Sequence, residues 1–356
     1  MPACLADLDA DVLHYLCRQV HVAEWHGPTT LKALSVTNRQ MRAAALSTVF
    51  SAVRIGGTLH QSGEAMRGII AAKSLVGYIR TFTLRLEVLE DCLRDMEAGG
   101  DYKTCGARLA ITRDALECTA VLAQLLMAMC GLQSLNIEPR RGVGAPFVSS
   151  VLNHGLSMAV LQPLDHVTSL SSSSCCTVFA AVCPAVIRLS ICVNSESRSE
   201  EAQKWAVQPQ VAFLEIDLAG VYDLTYVQEL TKSLPCLAEL SIKAWMDIRR
   251  ELPRFEHLRA LRVLRLGALD RLDMGYHPPQ CGYGWDELMD NPAAMDSLLV
   301  GRRRALNEAK RLARSVFPNL EKLHIDRATF DFSRLKTDEF DELDALEADT
   351  APDRAL

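Results

Sequence analysis

The sequence lacks the features that mark secreted and membrane proteins. No basic residue precedes Arg18, and the first twelve residues carry three aspartates, so the start does not resemble a signal peptide. No stretch approaches the roughly 20 apolar residues that span a bilayer. The net charge is −6, which disfavours a broad phosphate-binding surface. We therefore expect a cytoplasmic or nuclear protein with no membrane or nucleic-acid partner.

Motifs for chemistry are also missing. The sequence contains no P-loop, no Gly-x-Ser-x-Gly turn and no GxGxxG after a strand. Its 12 cysteines include no CxxC pair and stand mostly among apolar neighbours, where a reduced cysteine behaves as a small hydrophobe. Cys17, His21 and His26 have a spacing that zinc tolerates, but no fourth ligand follows. We expect no enzyme activity, no metal and no cofactor.

One eight-residue frame is present several times. The frame begins with proline and has leucine or valine at its third position, leucine at its sixth and isoleucine at its eighth. Full copies occupy residues 184–191, 209–216, 235–242 and 318–325. A copy without the proline covers 261–266, and weaker copies cover 79–84, 132–137 and 167–170. The leucines Leu189, Leu214, Leu240 and Leu264 are 25, 26 and 24 residues apart.

The frame predicts a short strand that follows a helix. Leucine and isoleucine two residues apart lie on one face of a strand. The preceding proline has no N–H and ends a helix. The chain here resembles the irregular leucine-rich-repeat proteins, whose repeats are roughly 20–29 residues long. The resemblance implies an α/β solenoid over residues 56–335, with parallel strands on the concave face and helices outside. An ordinary α/β domain is the alternative.

The N-terminal 55 residues predict helices. Apolar residues recur at helical spacing around Leu13 and again from Leu31 to Leu46, with a break near Pro28. The stretches 31–42 and 49–55 resemble the F-box of fungal F-box proteins. The resemblance implies a small all-helical module that docks on the Skp-type adaptor of a cullin–RING ubiquitin ligase. A helical cap that only seals the first repeat is the alternative.

The F-box resemblance also implies which side chains would contact the adaptor protein. They are Leu8, Val12, Leu34, Val36 and Phe50.

The solenoid would hold a target protein on its concave face. The residues that alternate with the strand leucines would line that face, and their mixed charge suits a folded protein or peptide. Those we expect to bind are Arg188, Glu215, Asp217, Glu239, Lys243, Arg265 and His324. The gap before the last repeat predicts a loop-like insertion near 270–300, where Tyr283 and Trp285 would either bind the target or shield the sheet.

Charge is uneven near the C-terminus. Arg302, Arg303 and Arg304 predict the start of a helix with a solvated face, and an acidic patch on a partner is the alternative. Residues 336–356 are acidic, and we expect them to be disordered apart from a short amphipathic turn at Phe340, Leu343 and Leu346 that caps the last repeat. A further loop is predicted over residues 89–108, around the Gly99–Gly100 pair.

The sequence thus favours a target-recognition adaptor of an SCF-type ubiquitin ligase that promotes ubiquitin-dependent degradation. A leucine-rich-repeat scaffold or inhibitor with no ligase link is the main alternative, and a hydrolase within the repeats is a third.

Overall fold

The computed structural model describes residues 9–23, 27–36, 39–87, 101–139, 145–159, 161–193, 199–205, 208–218, 224–279 and 289–333. The chain divides into two compact units, Met1–Val211 and Ala212–Leu356. Both units belong to the α/β class, because parallel strands alternate with helices along the chain. Within the described residues, no helix is both long and apolar enough to cross a membrane.

The first unit contains nine described helices and five strands. The helices are α1 (Ala10–Ala23), α2 (Gly27–Ser35), α3 (Arg39–Val49), α4 (Leu59–Ala71), α5 (Lys73–Val76), α6 (Asp101–Ala128), α7 (Ala145–Met158), α8 (Val178–Val182) and α9 (Ser199–Lys204). The strands are β1 (Ala52–Gly57), β2 (Thr81–Leu86), β3 (Ser134–Pro139), β4 (Ser169–Ser173) and β5 (Arg188–Val193), and each pairs in parallel with the next.

The second unit has three described α-helices, two short 3-10 helices and five strands. The helices are α10 (Thr225–Lys232), α11 (Ile248–Glu251) and α12 (Pro292–Val316), and the 3-10 helices are Leu252–Phe255 and Leu269–Arg271. The strands are β6 (Phe213–Leu218), β7 (Glu239–Lys243), β8 (Val263–Leu266), β9 (Lys322–Ile325) and β10 (Ala328–Asp331). Strands β6 to β9 are parallel, and β10 returns antiparallel to β9.

The repeated leucines form the core of each unit, as their spacing predicts. In the second unit Leu214, Leu240, Leu264 and Leu323 stand opposite one another on neighbouring strands. In the first unit Phe82, Leu135, Leu170 and Leu189 do the same, so the weaker copies of the frame are strands too. All eight side chains are buried. Alternation along a strand therefore points these residues inward and their neighbours outward.

A backbone hydrogen-bond pattern repeats together with the leucines. The carbonyl oxygen two residues before each central apolar residue accepts two N–H groups from the next strand segment. Arg80, for example, accepts from Gln133 and Ser134, and Ala212 accepts from Ala238 and Glu239. The same pair of bonds occurs at Ser51, Gln133, Thr168, Ala238 and Arg262. Each repeat therefore enters its strand with the same backbone geometry.

The N-terminal helices α1, α2 and α3 have a small core of their own. Its buried members are Leu13, Cys17, Leu31, Met41, Ala44 and Ala45, with Val20, Leu34 and Val49 packed at its edge. A 3.0 Å hydrogen bond between Ser47 Oγ and His14 Nδ1 joins α3 to α1. The boundary that the sequence placed at residue 55 falls inside β1, which pairs with β2.

The predictions of loops over residues 89–108 and 270–300 were partly wrong. Residues 101–108 are the first turns of α6, and residues 292–300 are the first turns of α12. Asn291 starts α12: its side-chain oxygen accepts the Ala294 N–H at 3.2 Å, and Pro292 fits the first turn. Arg302, Arg303 and Arg304 consequently lie in the middle of a helix and do not begin one.

Candidate functional site

Two kinds of surface could bind another protein, and the first lies on α1. Leu13 and Cys17 on one side of this helix are buried in the three-helix core. Val12, Tyr15 and Leu16 lie on the other side at spacings of three and four residues, and all three are exposed, Tyr15 by 62%. We call these three residues the α1 stripe. Large apolar side chains clustered on an exposed helix face mark a protein contact more often than a solvated surface.

The structure separates the five predicted adaptor contacts. Val12 belongs to the α1 stripe, and Val36, just after α2, is 84% exposed. Leu34 packs against the core of the three helices, and Phe50 is half-buried; as adaptor contacts both stay predictions. Leu8 lies outside the described residues. Neither Tyr15 nor Leu16 was predicted as a contact, because periodicity alone does not show which side of a short helix is covered.

The second candidate surface is the outward face of the strands in the second unit. Register places Glu215, Ser241, Arg265 and His324 in one row across β6 to β9. Asp217 and Lys243 form a second row, and Glu239 lies opposite Val263 and Phe213. The predicted residues Glu215, Asp217, Glu239, Lys243, Arg265 and His324 are thus brought together on one face, which we call the charged sheet face.

Charges on this face pair diagonally between strands. Lys243 Nζ donates to Glu215 Oε1, and Arg265 Nη2 lies 3.8 Å from Glu239 Oε2. Both pairs remain partly exposed, so each contributes little to the free energy of unfolding. The pairs fix the positions of both signs of charge, and a ligand of this face must carry the complementary arrangement.

His324 is a half-buried ionisable group of this face. Its Nδ1 lies 3.0 Å from Thr329 Oγ1 on β10, and its Nε2 is buried with no hydrogen-bond partner in the described chain. Burial lowers the pKa of the His324 imidazole, and the nearby cations Arg265 and Lys322 lower it further, while Glu239 opposes them. The ring is therefore held neutral over a wider pH range than a free histidine.

The outward face of the first unit has a different character. Arg188 is exposed on β5 and stands opposite Ser169, which in turn stands opposite Ser134. Short polar side chains continue the rows: Thr81, Thr83, Asn136, Ser171 and Ser190. On β2 and β3 the Arg85 Nε donates a 2.7 Å hydrogen bond to Glu138. Among the residues of this face Arg188 was predicted to bind the target, and the weaker repeat copies already contained the hydroxyl-rich pattern around it.

An exposed tryptophan in the second unit was also missed. Trp245 follows β7, remains 43% exposed, and has the Arg271 guanidinium carbon 5.7 Å from its ring centre. Arginine stacked on an exposed tryptophan is a common anchor for protein partners. The predicted aromatic anchors Tyr283 and Trp285 lie outside the described residues.

The buried thiols are poor nucleophiles. Burial raises the pKa of Cys176 and of Cys183 to about 12, so both remain protonated near neutral pH. Cys17 is buried in the three-helix core, and the side chains of His21 and His26 are not among those described. In the part of the chain that the structure describes, no group of three or more metal-binding side chains comes together.

No protein-family profile matches the sequence, and no curated protein is significantly similar to it.

Proposed function

We propose that this chain is a non-catalytic adaptor that joins a target protein to a Skp-type adaptor of a cullin–RING ubiquitin ligase. In this proposal the three N-terminal helices act as an F-box, and the strands and helices that follow are irregular leucine-rich repeats. The repeats hold the target, and the ligase partners act on it at high effective concentration.

The α1 stripe is the observation that carries the ligase half of the proposal. A module of about 50 residues has a small core, and exposing Val12, Tyr15 and Leu16 to water is unfavourable without a partner. A groove on the adaptor protein that accepts an apolar helix face would cover them. Val36, just after α2, is a further exposed apolar residue of the N-terminal helices.

The outward strand faces support the target-binding half. Regular register presents side chains from several strands in rows, which is how repeat proteins build extended binding surfaces. Paired charges on the charged sheet face and hydroxyl groups in the first unit suit a protein surface of mixed polarity.

The decisive test uses purified full-length chain and a purified Skp-type adaptor protein in an isothermal titration. We expect binding by the native chain and at least ~100-fold weaker binding by the Val12→Asp/Leu16→Asp variant, because a carboxylate would be buried in an apolar contact. Circular dichroism should be unchanged, since both side chains are exposed.

Two further variants make the result specific. Met158→Asp alters an exposed apolar residue at the end of α7 and should bind like the native chain. Leu13→Asp should unfold the three N-terminal helices, because Leu13 is buried in their core. Its circular dichroism therefore shows the signal expected when binding is lost through unfolding. Failure of the native chain to bind the adaptor would disprove the ligase link and leave the repeat scaffold or inhibitor as the function.

A further inference from the structure

Helix α12 has two opposite faces of very different chemistry. Three alanines, Ala305, Ala309 and Ala313, recur every four residues and are buried. Cations occupy the side that is turned away from them, because α-helical residues advance by about 100° each. These cations are Arg303, Arg304, Lys310, Arg311 and Arg314. Together with Leu299 and Val300 they form what we call the basic face of α12.

Two acidic residues, Glu308 and Asp296, border the basic face. Glu308 lies at its edge and accepts hydrogen bonds of 2.6 and 2.9 Å from Arg249 Nε and Nη2, and the nearby charge of Arg311 also helps to lower the pKa of this carboxyl. Asp296 lies two turns before Arg303 on the same side and limits the basic face at that end. Arg303 and Arg304 are exposed, and neither forms an ion pair within the described residues.

Apolar side chains are exposed beside the cations. Leu299 is 53% exposed and Val300 is 47% exposed, one turn before Arg303 and Arg304. No residue of α12 before Ala305 is buried in the described structure. A ligand of the basic face should therefore combine several carboxylates with a few large apolar side chains.

The chain itself contains such a segment shortly after its last described residue. Residues 338–347 carry six acidic residues and the apolar side chains Phe340, Leu343 and Leu346. The described chain ends next to α12: the Phe330 ring lies 5.9 Å from Lys310 Nζ, and the Phe332 ring lies 5.5 Å from the Arg314 guanidinium carbon. The described chain thus ends close to one end of the basic face, five residues before Asp338.

The tether is long enough to cover the face. Arg314 to Leu299 spans about 22 Å at 1.5 Å per helical residue. Phe340 follows Ser333 by seven residues, which reach about 24 Å when extended. A tether of this length keeps the acidic segment at an effective concentration on the order of millimolar.

We propose that residues 338–347 bind the basic face of α12 within the same molecule. The carboxylates neutralise Arg303, Arg304 and Arg311, and Phe340 or Leu343 covers Leu299 and Val300. An acidic segment of a target protein would have to displace this contact, so the tail would select among ligands of the second unit. The contact is independent of the proposed ligase link.

Carbodiimide cross-linking of the full-length chain tests the contact, since it joins a lysine amine to a nearby carboxylate. The variant Arg303→Lys/Arg304→Lys/Arg311→Lys preserves the charge and supplies amines on the basic face. We expect mass spectrometry to find cross-links from these positions to residues 338–347, at least about fivefold more often than from Arg259→Lys, an exposed control in the same unit. Yields should fall in 1 M salt, which screens charges beyond about 3 Å.

Two results of this experiment would overturn the proposal. One is equal cross-linking of the basic face and of the Arg259→Lys control to the tail. The other is the finding that the cross-links join different molecules, since a second copy of the chain would then occupy the basic face. A mixture of nitrogen-14 and nitrogen-15 protein distinguishes such cross-links from those within one molecule.

Peptide competition gives an independent test that does not rely on cross-linking. A labelled peptide of residues 336–349 is titrated into the native chain and into a chain whose six acids at 338–347 are changed to their amides. We expect at least tenfold tighter binding by the amide variant, because its own tail no longer competes, and a tenfold loss when Arg303→Ala/Arg304→Ala is added. Equal affinity of the native chain and the amide variant would exclude the contact.

Discussion

The backbone N–H of Phe332 donates a 2.7 Å hydrogen bond to the carbonyl oxygen of Glu321. In the preceding repeats the equivalent carbonyl accepts two N–H groups from the next strand segment, as Arg262 does from Glu321 and Lys322. After β9 no further parallel strand is described, and the donor is the residue that directly follows the antiparallel strand β10. The final repeat is therefore closed by a hairpin.

Phe332 should accordingly stabilise the end of the second unit. Its ring is buried and lies beside Arg314, so Phe332→Ala removes apolar contact and leaves a cavity. We expect the free energy of unfolding to fall by about 3 kcal/mol in urea titrations followed by circular dichroism. Arg327→Ala, at an exposed position of the β9–β10 turn, serves as control, and an equal loss there would contradict the closing role.

The register of the leucines predicts that a substitution inside the sheet also lowers the free energy of unfolding. Leu240 stands between Leu214 and Leu264 and is almost completely buried. Leu240→Ala should lower the free energy of unfolding by roughly 2–5 kcal/mol in the same urea assay. Lys243→Ala on the same strand removes only a partly exposed ion pair, and a loss above about 1 kcal/mol there would show that the surface pairs matter more than we argue.

Thiol reactivity should follow burial. Cys130 and Cys236 are exposed, while burial raises the pKa of Cys118, Cys176 and Cys183 to about 12. We expect iodoacetamide at pH 8 to alkylate the two exposed cysteines at least about 100-fold faster than the three buried ones, as peptide mass spectrometry would measure. Denaturation in urea should remove the difference, and fast labelling of Cys176 in the native protein would contradict the packing of α7 against α8.

His324 should make the second unit sensitive to mild acid. Its pKa is lowered in the folded protein, so as the pH falls below the ordinary value of 6.5 the unfolded chain takes up this proton first. Neutral His324 therefore contributes to the free energy of unfolding above pH 6.5. This contribution is lost as the pH falls through the lower pKa that His324 has in the folded protein.

The variant His324→Asn should weaken that pH dependence in urea titrations between pH 7.5 and pH 5. His257, whose pKa is also lowered by burial, is unchanged in both proteins and provides the shared background. Identical pH dependence of the native chain and the variant would show that His324 titrates normally.

Much of the strand arrangement was predictable because it depends on a local pattern. Leucine and isoleucine two residues apart, after a proline, gave strands β5, β6, β7 and β9 and the register of Leu214, Leu240, Leu264 and Leu323. The start of α12 at Pro292 was missed, although Asn291 followed by Pro292 is a local signal for a helix N-terminus. The hairpin strand β10 carries no repeat frame and had no such signal.

The spacing of the apolar residues is a local property, so it specifies which of them share a strand face. Which apolar side chains stay uncovered, and which charged groups form pairs, depends on contacts between segments that are distant in the chain. Leu13 and Leu16 are alike in the sequence, yet one is buried and the other exposed because α2 and α3 pack on one side of α1. Glu308 and Arg249 are 59 residues apart, so their hydrogen bonds depend on how distant segments come together.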